Sequence, residues 1–250
     1  MPTIPPRNDD RPKVRLYVEQ ALAQGQHVAV TQDQSHYLGN VLRLAAGADV
    51  ALFNGKDGEW RARIGHLAKR GGALTCEEQT APQTNPPDLW LLFAPIKKAR
   101  TDFIVEKAVE MGAARILPVQ TEFTNSERIR RDRLQAHAVE AAEQSAGTFV
   151  PEVADLTRLD RLLADWPTDR VLWWADESLK GCDIADPAPA PAAILIGPEG
   201  GFSPAERLRL RALPFIRRLS LGPRILRADT AAVAALTLWQ VRHGDWTGPR

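Results

Sequence analysis

The sequence has little cysteine and no long apolar run. Cys76 and Cys182 stand alone, without a Cys-x-x-Cys pair or a histidine at metal-ligand spacing, so neither a disulfide framework nor a zinc site is indicated. No segment approaches the roughly 18 apolar residues that a membrane span requires, and the start, Met1 to Lys13, is rich in proline and charge instead of apolar residues. We therefore expect no metal, no membrane association, no export or transit signal, and a reducing, cytoplasmic environment.

The sequence also lacks a surplus of charge of either sign. Its 32 basic and 31 acidic side chains nearly cancel, so the total charge does not indicate a nucleic-acid-binding protein. The stretch from Arg207 to Arg227 nevertheless contains seven arginines and no acidic residue. Charge alone leaves two interpretations equally open, a solvated helix face and a patch that contacts phosphates.

A proline-rich segment, Thr80 to Asp88, separates two differently patterned halves. We therefore predict a domain at 1–80 and a second at 89–250. Short β-type segments spaced by glycine-containing turns predict a small β-barrel in the first, with a helix around Asp33 to Leu44 that Asp33 caps and Gly47 stops. The expected strands are Arg15 to Val18, His27 to Thr31, Asp49 to Asn54, Glu59 to Ala68 and Ala73 to Glu77.

In the second half, strands alternate with helices, which favours an α/β domain with a mainly parallel sheet covered on both faces. Gly112 stands where a left-handed helix end would require it. The expected strands are Leu89 to Ile96, Arg115 to Gln120, Arg170 to Ala175, Ala192 to Ile196 and Ile216 to Leu221, and the expected helices lie near Thr101 to Met111, Glu127 to Ser145, Pro204 to Leu213 and Thr230 to Arg242.

The segment Ile194-Leu-Ile-Gly-Pro-Glu-Gly-Gly-Phe-Ser-Pro-Ala-Glu206 predicts a buried strand, a tight loop and a helix that begins at Ser203. Ser203 and Glu206 form a complete capping-box pattern with Pro204 at the first helical position. The loop has three glycines, so a ligand could approach its backbone at the carboxyl end of a strand. Taken alone, an ordinary strand-to-helix turn is the favoured interpretation.

A second loop of the same kind, Leu219-Ser-Leu-Gly-Pro-Arg-Ile-Leu-Arg-Ala-Asp-Thr-Ala231, changes that balance. Two such loops could line one pocket. The phosphate-binding pattern GxxxxGK[ST] is absent, and GxGxxG is absent from the first strand-to-helix turn, where a dinucleotide-binding fold would have it. A nucleoside held by main chain, without a polyphosphate clamp, fits better.

These two motifs, Ile196-Gly-Pro-Glu-Gly-Gly-Phe202 and Leu221-Gly-Pro-Arg-Ile-Leu-Arg227, closely resemble the signature of RsmE-type ribosomal RNA uridine N3-methyltransferases. Three other segments also resemble the family: His36-Tyr-Leu-Gly-Asn-Val-Leu-Arg43, Asp102-Phe-Ile-Val-Glu-Lys-Ala-Val-Glu-Met-Gly112 and Glu140-Ala-Ala-Glu-Gln-Ser145 with Val150-Pro151. The resemblance covers about residues 11 to 244 in the same order.

The resemblance implies a SPOUT-type α/β domain with a carboxyl-terminal trefoil knot, preceded by a PUA-like β-barrel that binds RNA. It also implies a homodimer, S-adenosylmethionine as cofactor, and N3 of a uridine in 16S ribosomal RNA of the assembled small subunit as methyl acceptor. The cofactor-binding residues that it implies are Leu195, Ile196, Gly197, Pro198, Glu199, Gly200, Gly201, Leu219, Ser220, Leu221, Gly222, Ile225, Leu226 and Thr230.

Roles for individual polar residues follow from the same match. Uracil N3 is protonated at neutral pH, so a fixed arginine that stabilises the deprotonated ring would assist transfer, and we assign this hypothesis to Arg15 and Arg227. Arg15, Arg43 and Arg224 are expected to contact RNA. Glu199 either binds the cofactor or accepts amide hydrogen bonds that hold its loop.

Other conspicuous side chains are expected to be structural. We interpret His36 and His137 as packing or surface residues, and Trp173 with Trp174 as core, although base stacking on an exposed indole stays open.

Two positions depart from the family pattern. Gly147 stands where many relatives have an arginine, which puts any phosphate contact at that position in doubt. Asp229 stands where glutamate is common, and we expect it to cap the last helix.

Three rival interpretations remain. One is a non-catalytic RNA-binding module, and another is an enzyme that uses a different nucleotide cofactor through the same loops. The third is a methyltransferase of the same superfamily that acts on another RNA site.

Overall fold

The computed structural model describes residues 12–125, 128–179, 182–183 and 191–247. Expectations for the first eleven residues and for most of the 180–190 stretch, including the side chain of Cys182, lie outside these ranges. The chain forms two compact units. One contains the described residues up to Asn85 together with Ala142–Val150, and the other contains Pro86–Ala141 and the described residues from Pro151 onward.

The first unit is built on a mixed five-stranded sheet in the order β1-β3-β4-β5-β2. Only β1 and β3 pair in parallel, and three register shifts between β4 and β5 mark the bulges at which these long strands bend. Side chains from all five strands converge on one apolar core, as expected for a small, partly open barrel. The strands are β1 (Arg15–Tyr17), β2 (His27–Val30), β3 (Asp49–Phe53), β4 (Glu59–Ala68) and β5 (Gly71–Ala81), and helix α1 (Gln32–His36) continues into a π-helical turn (Tyr37–Val41).

The expected helix of this unit exists, but both of its predicted ends are wrong. Thr31, not Asp33, caps α1. The Thr31 hydroxyl accepts from the amide of Gln34, and the Gln34 side-chain oxygen accepts from the amide of Thr31. The helical stretch ends before Gly47, at Leu42, and Arg43 takes the left-handed conformation with φ 58°. A π-turn and a non-glycine left-handed residue leave no signal in the apolar spacing, so sequence periodicity could not reveal either.

The second unit is an α/β domain with an eight-stranded sheet in the order β11-β13-β10-β12-β6-β7-β8, and β9 pairs with β7. Every pairing is parallel except that of the short β11 with β13. The strands are β6 (Leu89–Phe93), β7 (Arg115–Gln120), β8 (Glu152–Val153), β9 (Thr157–Arg158), β10 (Val171–Ala175), β11 (Cys182–Asp183), β12 (Ala192–Ile196) and β13 (Ile216–Leu221). The helices are α2 (Lys98–Glu110), α3 (Arg131–Gln144), α4 (Leu159–Ala164), α5 (Pro204–Ala212) and α6 (Ala228–His243), with a 3-10 turn (Asp245–Thr247) after α6.

The α/β fold class predicted from the sequence is confirmed. All five residues of β12 are buried, and because successive side chains point to opposite faces, both faces of the sheet are covered there. Trp173 and Trp174 are buried, as expected of core residues, and Gly112 ends the α2 region at φ 73°. The elements that the sequence did not predict are α4 and the two-residue strands β8, β9 and β11. The trefoil knot stays a prediction.

No helix in the described ranges is both long enough and apolar enough to cross a membrane.

Candidate functional site

A cavity of about 680 Å³ opens at one edge of the large sheet. Its walls come from the segments that follow β6, β10, β12 and β13. These four strands are parallel to one another, so their carboxyl ends lie at the same edge of the sheet. The volume lies in the range usual for small-molecule sites. The lining residues are Lys97, Arg100, Ala175, Asp176, Glu177, Ile196, Gly197, Pro198, Glu199, Gly200, Gly201, Phe202, Leu219, Leu221, Gly222, Arg224, Ile225, Leu226, Arg227, Ala228 and Ala231.

The first glycine loop is held by the predicted capping box. The amide of Glu206 donates to Ser203 Oγ at 3.2 Å, and the amide of Ser203 donates to Glu206 Oε2 at 2.9 Å. A Cβ on Gly197 would lie 2.7 Å from the ring of Phe202, which is buried, so a side chain at this position would force the loop to move. The loop backbone is therefore fixed in an arrangement that only glycine permits.

The second glycine loop, from Gly222 to Arg227, is open. Gly222 has φ 103°, and a Cβ built on it meets no atom within 4 Å. Ile225, which lines the cavity, is 85% exposed. Within the described part of the chain, the guanidinium groups of Arg224 and Arg227 have neither a hydrogen bond nor an ion pair, so both are available to an incoming group.

The expectation that Asp229 caps the last helix is wrong. Arg227 occupies the N-cap position of α6 without a side-chain cap, and Asp229 lies one residue inside the helix, where its Oδ1 accepts from the amide of Thr230 at 2.9 Å. Its negative charge there still favours the positive end of the helix dipole.

The cavity lining includes a pair of acidic residues, Asp176 and Glu177, whose charges are balanced by arginines. Arg218 Nε donates to Asp176 at 2.8 Å, and Arg207 contacts both carboxylates. Burial favours a raised pKa for Asp176, but hydrogen bonds from Ser178 and Arg218 outweigh it and hold the pKa below the usual value. Asp176 is therefore ionised at neutral pH, and its charge is balanced by the arginines. No group of metal-binding residues occurs in the described ranges.

Most of the residues expected at the cofactor site line this cavity. Leu195, Ser220 and Thr230 do not: Leu195 and Ser220 are buried beside it, and Thr230 is exposed on α6. Sequence reasoning missed Lys97, Arg100, Asp176 and Glu177. Asp176 and Glu177 directly follow a predicted strand, so the rule that ligands bind at the carboxyl ends of parallel strands would have found them.

Arg15 lies in the first unit, where all three of its guanidinium nitrogens donate hydrogen bonds. Its Nε donates to Glu59 Oε2 at 2.7 Å, and its two terminal nitrogens donate to the carbonyls of Ala142, Glu143 and Gly147 at 2.6 to 3.0 Å. The side chain is 10% exposed and that of Glu59 4%. Arg15 therefore ties the 142–150 segment to the small sheet, and Gly147, where the family arginine is absent, contributes through its carbonyl.

Replacing Arg15 with alanine should destabilise the protein by about 3 kcal/mol, because it leaves Glu59 charged and buried without its partner. Urea unfolding monitored by tryptophan fluorescence measures this loss. Arg63→Ala is the matched control, since Arg63 pairs with Glu77 on the exposed face of the same sheet and such pairs contribute little. If the two variants unfold at the same urea concentration, Arg15 does not have this structural role.

Arg43, the other arginine predicted to contact RNA in this unit, is exposed and has the left-handed backbone described above. His36 is exposed and His137 half-buried, which agrees with surface and packing roles.

Comparison with known proteins gives consistent matches over nearly the whole chain. Residues 83–240 match the model of an RNA methyltransferase domain, and residues 30–74 that of an RNA methyltransferase PUA domain. The chain is 29% identical to the ribosomal RNA small subunit methyltransferase E of Rickettsia conorii, with 91% of this chain and 94% of the relative covered.

Two similar solved structures contain S-adenosylmethionine. One is a methyltransferase of Legionella pneumophila, with 29% identity, a TM-score of 0.84, and 94% and 99% of the two chains covered. The other is the ribosomal RNA small subunit methyltransferase E of Neisseria gonorrhoeae, with 30% identity, a TM-score of 0.82, and 93% and 99% covered.

Proposed function

Since the chain belongs to the RNA methyltransferase family, we propose that it transfers a methyl group from S-adenosylmethionine to N3 of a uridine in 16S ribosomal RNA of the assembled small subunit. The observation that carries this proposal is the cavity at the sheet edge, which is lined by residues of both glycine loops. We assign RNA binding to the domain at 1–80 and methyl transfer to that at 89–250.

The cavity fits an adenosyl group in size and chemistry. Its apolar wall, formed by Ile196, Leu219, Leu221 and Leu226, suits a purine, and a Cβ built on Gly222 meets no protein atom, so the backbone there is open to a ligand. When bound, S-adenosylmethionine supplies an electrophilic methyl group on a positively charged sulfur. The chain's contribution would be to bind the cofactor and the acceptor together, so that transfer occurs within one complex.

The acceptor nitrogen must lose its proton before it attacks, and the uracil ring then carries a negative charge. Arg227 is suited to stabilise this charge, because it lines the cavity, is exposed, and has no partner among the described residues. Arg224, equally without a partner there, is suited to a neighbouring phosphate. The N3 proton leaves to solvent in this scheme.

Arg43 is proposed to contact RNA from the amino-terminal domain, since its side chain is exposed. Arg15 is less suited to touch the base, because most of its donors are already engaged. We propose that Arg15 acts indirectly, by ordering the 142–150 segment. A folded Arg15→Ala protein with undiminished methyl transfer would reject any catalytic contribution.

We further propose a cytoplasmic homodimer. Much of the apolar face of the last helix, including Ala232, Leu236 and Trp239, packs inside the chain and is not available to a partner. Phe103 on α2 and Val241 on α6 are exposed, however, and the two helices are neighbours. Sedimentation equilibrium should give twice the chain mass, and a monomer at micromolar concentration would contradict this part of the proposal.

Calorimetry with three ligands tests the cofactor assignment. We expect S-adenosylmethionine to bind, whereas ATP and NAD should not, because the loops offer no clamp for a polyphosphate. Binding of ATP or NAD in preference would favour another cofactor class. No binding of any of the three would favour a non-catalytic RNA-binding module.

A further inference from the structure

Arg100, on α2, lies close to acidic residues of the first glycine loop and of the helix that follows the second glycine loop. It lies in the first turn of α2 and lines the cavity. Its Nη1 is 3.8 Å from Glu199 of the first loop and 3.6 Å from Asp229 at the start of α6, which follows the second loop. Both distances are too long for hydrogen bonds, so charge alone relates these three groups.

The Nη1 of Arg100 is buried and has no hydrogen-bond partner within the described chain. A buried cationic donor without an acceptor is costly, and such groups in native proteins usually have a partner that the protein chain itself does not supply. Asp229 Oδ2 and Glu199 Oε1 likewise have no closer contact than Arg100 among the described groups. One unfilled donor and two unfilled acceptors therefore surround the same space.

We propose that Arg100, Glu199 and Asp229 bind the α-amino-acid end of the cofactor, a placement that rests on the function proposed above. Arg100 donates to the carboxylate, and the two acidic residues accept from the ammonium group. Such a zwitterionic group is the one part of S-adenosylmethionine that needs a cation and anions together.

The other acidic residues of the cavity lining are less suited to this group. Asp176 and Glu177 are already paired with Arg207 and Arg218, so they offer neither a free cation nor uncompensated anions. Their remaining acceptor capacity suits the ribose hydroxyl groups. The cofactor is thereby oriented, with its ribose toward β10 and its amino-acid end toward α2.

The test compares two ligands that differ in the amino-acid group. S-adenosylmethionine contains it, whereas 5′-methylthioadenosine has the same adenosine, a neutral thioether in place of the sulfonium, and no amino-acid group. In calorimetry with the full chain, Arg100→Met should lower the affinity for S-adenosylmethionine by about 10- to 100-fold, the usual effect of losing a hydrogen bond between charged groups. The affinity for 5′-methylthioadenosine should stay within about twofold of the wild-type value, a difference of under 0.5 kcal/mol.

Lys98→Met is the matched control, because Lys98 lies in the same helical turn, is exposed and does not line the cavity. It should alter neither affinity. Arg100→Lys should recover part of the affinity for S-adenosylmethionine. Asp229→Asn should lower the affinity for S-adenosylmethionine more than that for 5′-methylthioadenosine. Thermal unfolding without ligand establishes that each variant is folded.

Equal weakening of both ligands by Arg100→Met would show that Arg100 only supports the loops, and would overturn the inference. So would unchanged binding of both. If the wild-type chain binds both ligands but no variant changes one affinity more than the other, the inference fails and the proposed function stands. If the wild-type chain does not bind S-adenosylmethionine, the proposed function fails with it.

Discussion

Replacing Gly222 with valine should weaken S-adenosylmethionine binding by at least about 100-fold, or about 2.7 kcal/mol. Gly222 lines the cavity with φ 103°, a conformation that a β-branched residue rarely adopts, and its added side chain would project into space that no protein atom fills. Loss of loop geometry and loss of room for the ligand act in the same direction. Calorimetry measures the affinity.

Gly25→Val separates the ligand effect from backbone strain. Gly25 has φ 78°, also meets no atom within 4 Å of an added Cβ, and belongs to the other unit. Both variants should lose stability to a similar extent in urea unfolding, but Gly25→Val should keep the wild-type affinity. If Gly222→Val binds the cofactor as tightly as Gly25→Val does, the second glycine loop is not part of the site.

Arg227→Ala should lower kcat for methyl transfer by about 100- to 1,000-fold, the effect seen when one donor to a developing anion is removed. Affinity for S-adenosylmethionine should change little, because the proposed partner of Arg227 is the uracil ring. The side chain is exposed, so the variant should fold normally. Single-turnover transfer to small subunits gives the rate, and calorimetry gives the cofactor affinity.

Arg211→Ala is the control for charge. Arg211 belongs to the same arginine-rich stretch and is exposed on α5, but it does not line the cavity. Removing it should at most weaken RNA binding slightly and leave kcat unchanged. Equal losses from the two variants would mean that the stretch contributes only a diffuse attraction for phosphate.

The longer strands of the large sheet and the loops that follow them were predictable because their signals are local. Strand β12 is a continuous apolar run, and Ser203, Pro204 and Glu206 specify the start of α5 within four residues. Two loops of this kind after parallel strands then predict one shared site, and residues of both loops line the cavity.

What the sequence did not reveal depends on contacts between distant residues. Arg100 precedes Glu199 and Asp229 by about a hundred residues or more, and nothing in its own helix distinguishes it from Lys98. The structural role of Arg15 has the same origin, since its carbonyl partners lie more than 120 residues along the chain. The cap of α1 is an exception, because Thr31 and Gln34 form a capping box within four residues, a local pattern that the prediction of Asp33 overlooked.

Nucleoside mass spectrometry of 16S ribosomal RNA tests the central claim most directly. Small subunits from a strain without the gene should gain one 3-methyluridine per particle when incubated with the purified protein and S-adenosylmethionine, and none with Arg227→Ala over the same time. A methylated product at another base or another uridine atom would contradict the assignment of the acceptor. No methylation by a protein that binds the cofactor would contradict the account of the site.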